Sequence, residues 1–118
     1  MEAKRDLTTF RLIPFQEASD EHQPHTAEFL NQVKRGYLVK LQVKALGHTK
    51  PCAEAFWVLV LKVDRLTGDC LGLIDNRMAR SQYHNLKLKD MLEFNLCHVL
   101  EIGSVRVENK SKFVLQRQ

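Results

Sequence analysis

The chain has 118 residues, 44% hydrophobic and 27% charged, the balance of one ordinary globular domain rather than of a wholly disordered polymer. Its formal charge of +4, from 18 Lys and Arg against 14 Asp and Glu, is only mildly basic, so contact with a polyanion depends on whether the cations share a face. No apolar run approaches the roughly 20 residues that a membrane-crossing helix needs, and no membrane partner is expected.

Residues 1–25 are the least regular part. The opening Met1-Glu2-Ala3-Lys4-Arg5-Asp6 is not followed by the apolar stretch of a secretory leader. Phe10-Arg11-Leu12-Ile13-Pro14-Phe15 is a candidate edge strand, because Pro14 has no N–H to give to a central ladder. Gln16 to Gln23 reads as a connection or a short helix. The clearest helix spans 26–36: Thr26 is a plausible N-cap, Phe29, Leu30 and Val33 share a face, and Gly36 supplies a left-handed stop.

Period-two alternation follows directly. Tyr37, Val39, Leu41 and Val43 alternate with Leu38, Lys40, Gln42 and Lys44, a strand with one buried and one wet face. Gly47-His48-Thr49-Lys50-Pro51 breaks it. Ala55 to Leu61 is apolar on both faces, which predicts a central strand covered by the helix on one side and the curled sheet on the other. Asp64 to Asp69 has hairpin chemistry, and Gly72 inside the strand Cys70–Ile74 marks a close approach or a bulge.

A polar loop from Asp75 to Asn85 precedes the strand Met91–Leu96, whose Leu92, Phe94 and Leu96 point inward. Val99, Leu100 and Ile102 extend the apolar signal, and Val105-Arg106-Val107 with Phe113-Val114-Leu115 resembles a closing hairpin. The predicted architecture is α+β in a single domain over 1–118: one main helix on a strongly curled antiparallel sheet spanning 37–115. Curling of this kind, an SH3-like or partly open small barrel, removes exposed edges.

Three segments carry a family resemblance: Glu54-Ala55-Phe56-Trp57-Val58 through Asp64, Gly72-Leu73-Ile74-Asp75-Asn76, and Leu86-Lys87-Leu88-Lys89-Asp90-Met91-Leu92-Glu93-Phe94. Over residues 54–102 they resemble a small bacterial domain family of unknown function typified by the YegJ-like proteins. That family pairs a Glu-x-x-Trp-Val strand with a Gly-x-Ile/Leu-x-Asn strand and a Leu-x-x-Gly-Asp turn. Lys89 departs from it, standing where the family favours Gly before Asp90. The resemblance implies a fold and a bacterial or mobile-element origin, with no activity attached.

No catalytic set is legible, so the chain reads as a non-enzyme without a cofactor. Cys52, Cys70 and Cys97 are an odd number at wide spacing, which argues against a disulfide framework and for a reducing, cytoplasmic setting. His48 and Cys52, the adjacent Cys97 and His98, and His84 lack the paired spacing of a structural zinc site. They read as surface histidines and small buried thiols. A cryptic enzyme would have to be built on Cys97, His98 or Asp90.

What remains is binding. Arg77, Arg80 and Tyr83 on the long loop are the anchor candidates for an unidentified protein partner, since Arg and Tyr carry interface energy disproportionately. The role would be that of an inhibitor, immunity factor or adaptor. The alternative is nucleic acid, gripped by Lys40, Lys44, Arg77, Arg80, Lys87 and Lys89 with Tyr83 and His84 among them. A homodimer through an unpaired sheet edge is compatible with either reading.

Overall fold

The computed structural model describes residues 3–18, 26–47 and 53–105. The connection at 19–23, the break at 48–51 and most of the expected closing hairpin, 106–115, lie outside those residues.

The described strands and α-helices are β1 (Phe10–Leu12), α1 (Ala27–Asn31), β2 (Tyr37–Ala45), β3 (Ala53–Val63), β4 (Asp69–Ile74), α2 (Ser81–His84), β5 (Met91–Asn95) and β6 (Glu101–Val105), with 3-10 turns at Phe15–Glu17 and Leu96–His98. One antiparallel sheet runs β1-β2-β3-β4-β5, with β6 added on β2. β1 pairs with β2 near Val43–Ala45, while β6 takes the Tyr37–Lys40 stretch. Upstream of β1, Lys4 donates its N–H to Met91 O at 2.7 Å and accepts from Glu93 N–H at 2.9 Å. Residues 4–12 therefore run from the edge of β5 to the edge of β2. One short segment ties both edges of the sheet, which holds it strongly curled.

The alternation read from the sequence sets the two faces. Val39, Leu41, Val43, Phe56, Val58, Val60, Cys70, Ile74, Leu92 and Phe94 fill the concave side together with Phe10 and Leu12. Phe29 and Val33 join the same core, so the region around α1 covers that side. Gly72 is the expected close approach: a β-carbon there would stand 2.4 Å from Val58 Cγ1 and 2.8 Å from Leu59 O. On the convex side Leu38, Leu59, Leu73 and Met91 lie in register and only half-buried. Trp57 lies against Gly103, where a β-carbon would come within 2.8 Å of the ring.

Three expectations need correction. The helix is not a main element over 26–36; it is five residues long, Ala27–Asn31. Thr26 does cap it, accepting from Phe29 N–H at 3.1 Å. It stops early because Gln32 and Val33 donate to carbonyls only three residues back, a tightening that turns Val33 into the core. Arg65, from the β3–β4 turn, then donates to Leu30 O and Val33 O, supplying a cation where the last carbonyls need donors. The strand expected to reach Leu96 ends at Asn95, whose side chain caps a 3-10 turn over Leu96–His98. His84, expected at the surface, is fully buried.

The turn before Asp90 carries a further detail. Lys89 has φ +73°, the left-handed backbone that favours glycine. It is held there because Lys89 N–H donates to Ile74 O and Ile74 N–H to Asp90 O.

Candidate functional site: the clamped loop between β4 and β5

Glu54 explains why a loop this long holds one shape. It is the only charge between Ala53 and Leu61, and its parity with Phe56, Val58 and Val60 turns it to the concave face, opposite Val43. Its carboxylate accepts from Ala79 N–H at 2.6 Å, Arg80 N–H at 3.0 Å and His84 Nε2 at 3.0 Å. His84 Nδ1 accepts from Leu86 N–H at 3.0 Å, which fixes the proton on Nε2, facing the carboxylate. Burial, the largest single influence on Glu54, pushes its pKa up. The bonds from His84, Ala79 and Arg80 together outweigh it and leave the carboxyl below its ordinary value.

The loop is pinned at further points. Asp75 N–H donates to Trp57 O at 2.9 Å, and Asn76 links Trp57 N–H to Arg77 O through its side chain. Ser81 Oγ donates to Leu86 O, and Thr9 Oγ1 to His84 O, tying α2 to the N-terminal segment. Asn85 ends α2 at φ +66°, a conformation Asn tolerates. Lys87 N–H donates to Asp90 Oδ2 at 3.0 Å and closes the loop onto β5.

On this fixed backbone the side chains of Arg77, Arg80, Lys87 and Lys89 are exposed, and Tyr83 is 37% exposed. The loop thus presents all three anchor candidates. The six cations of the alternative reading divide into two groups. Four belong to the loop, while Lys40 and Lys44 lie on the convex face of β2. Lys44 is exposed, but Lys40 is engaged, 3.6 Å from Glu101 and 5.9 Å from the centroid of the Trp57 ring.

The Glu54–His84 pair has the composition of a general-base dyad but not the access. Both imidazole nitrogens are committed and the ring is fully buried. It holds the loop; it has no free nitrogen to offer a substrate. The two described thiols, Cys70 and Cys97, shift in the direction opposite to nucleophile activation. Burial pushes Cys70 up to about 12; Cys97, exposed rather than buried as expected, is raised by the partial burial of its thiol. Burial lowers His98, whose Nδ1 accepts from Asn95 N–H at 3.0 Å. Among the described residues no group of three His, Cys, Asp or Glu side chains could hold a metal ion.

Sequence reasoning found the loop and its exposed residues but missed the clamp. The signal was present: a lone carboxylate on the inward register of an apolar strand must find buried donors. Comparison with family models, with curated proteins and with solved structures returns no match for the chain.

Proposed function

We propose that this chain is a non-catalytic binding module that docks on a protein partner through Arg77, Arg80 and Tyr83. The observation that carries this reading is the Glu54 clamp. Three hydrogen bonds converge on one carboxylate to fix the backbone beneath the exposed side chains. A recognition loop ordered before binding loses less conformational entropy when it binds, so more of its contact energy appears as affinity. Arg and Tyr are the residue types best suited to exploit that.

The committed imidazole and the raised thiols support a role other than catalysis. The curled sheet supports the finer reading of an SH3-like small barrel; a cytoplasmic protein of the inhibitor, immunity-factor or adaptor kind is the role proposed for it. Self-association through a sheet edge belongs to the same reading, and so does the YegJ-like resemblance, which adds no activity.

The test is affinity capture with tagged wild-type protein and with the Arg77→Ala/Arg80→Ala/Tyr83→Ala variant, with and without nuclease, at low and high salt. A discrete protein retained by wild type through nuclease and salt, and lost by the variant, is the expected result. Equal retention by the variant overturns the proposal. Recovery of nucleic acid alone, falling steeply with salt, replaces it with the polyanion reading based on Lys40, Lys44, Arg77, Arg80, Lys87 and Lys89.

A further inference from the structure

A second feature lies away from the exposed anchors. The N-terminal turn and the end of α2 enclose an open depression of about 810 Å³, lined by Ala3, Lys4, Arg5, Thr8, Thr9 and Asn85. That volume is in the range of small-molecule sites. Among the described residues no carboxylate lines it, and Ala3 is the one aliphatic side chain. We propose that this depression binds a phosphoryl group, with Lys4, Arg5 and Asn85 as the donors.

The walls are set by backbone bonds. Lys4 is fixed by its bridge to β5, which leaves the side chain outside the ladder. Thr8 Oγ1 donates to Arg5 O at 2.8 Å and Thr9 Oγ1 to His84 O at 2.5 Å, so both hydroxyls spend their hydrogen on the wall. Among the described residues the donors left for a ligand are Lys4 Nζ, the Arg5 guanidinium and the Asn85 amide. Among the described residues no carboxylate lies within salt-bridge distance of Lys4.

Arg5 has a partner, Glu93, at 3.4 Å through Nε, but the pair is solvent-exposed and therefore weak. The terminal guanidinium nitrogens can still bind an oxyanion in a forked arrangement. Asp6, next to Arg5 in the chain, is directed elsewhere: its Oδ1 accepts from Leu12 N–H at 2.7 Å. Two cations, Lys4 and an Arg5 paired only at its exposed Nε, match the double negative charge of a phosphate monoester better than a single carboxylate.

The experiment is a 1H–15N titration of the full chain with inorganic phosphate, pyrophosphate, ATP and, as a control, acetate. The variants are Lys4→Gln/Arg5→Gln and, separately, Arg77→Ala/Arg80→Ala. Saturable shifts confined to residues 3–9 and 85 are expected below about 10 mM phosphoryl ligand, with acetate much weaker. Lys4→Gln/Arg5→Gln should weaken binding about tenfold or more while the spectrum elsewhere stays native, because the Lys4 bridge uses only backbone atoms. Arg77→Ala/Arg80→Ala should bind as wild type. Tighter binding of pyrophosphate and ATP than of phosphate would identify the ligand as a small phosphorylated metabolite; equal binding of all three would identify the isolated phosphoryl group. Absence of saturation, equal binding of acetate, or loss of binding only in Arg77→Ala/Arg80→Ala overturns the proposal without bearing on the protein-docking loop.

Discussion

Replacing Glu54 by alanine removes the acceptor for Ala79 N–H, Arg80 N–H and His84 Nε2 at once. A hydrogen bond to a charged group contributes about 1.5–3 kcal/mol, but the three losses are not equal. The two backbone N–H groups lie near the surface and can turn to water. His84 cannot, because its ring is fully buried and the Glu54 side chain beside it is only 11% exposed. Nor can the imidazole switch tautomer, since Nδ1 must accept from Leu86 N–H. The expected net cost of Glu54→Ala is about 2–4 kcal/mol, a large fraction of a small domain's stability. Glu54→Gln keeps one oxygen for Arg80 and His84 and places an NH2 against Ala79 N–H, so about half that cost is expected. Thermal unfolding followed by the fluorescence of the single Trp57 should show a fall in Tm on the order of 10 °C for the alanine variant. Amide exchange at Ala79, Arg80 and Leu86 should accelerate with it. A melting temperature and amide exchange unchanged from wild type would refute the clamp.

The carboxyl of Glu54 is depressed in the fold, so its contribution is complete above its ordinary value of 4.5 and is lost as pH falls below it; an acid titration of wild type and Glu54→Gln should converge there. His98 is also depressed, by burial, so the unfolded chain takes up a proton first; stability should decline as pH drops below 6.5, and His98→Asn should flatten that slope in urea titrations. Lys89→Gly relieves the left-handed φ of +73° at the cost of a more flexible unfolded chain, and a net gain of about 0.5–1 kcal/mol is expected in urea unfolding. Gly72→Ala drives a β-carbon against Val58 and the Leu59 carbonyl and should destabilise by about 3 kcal/mol, measured the same way; a neutral result would contradict the packing described.

Elements whose signal is local were legible in the sequence. β2 follows from strict alternation, the close approach at Gly72 from a glycine inside an apolar strand, and the cap of α1 from Thr26. What was missed depends on partners distant in sequence. The length of α1 was overestimated because its early stop is set by the turn of Val33 into the core, with Arg65 then meeting its last carbonyls; neither can be read from residues 26–36. His84 looked like a surface residue because it lies in a polar loop, and its partner Glu54 stands 30 residues away.

The most direct test of the docking loop is site-specific photocrosslinking with benzoylphenylalanine in place of Tyr83 or of Leu66. Leu66 is 97% exposed on the turn before β4, at the opposite end of that strand from the loop. The docking account expects a discrete crosslinked protein from position 83 and none from position 66. Equal crosslinking from both positions, or from position 66 alone, would contradict it.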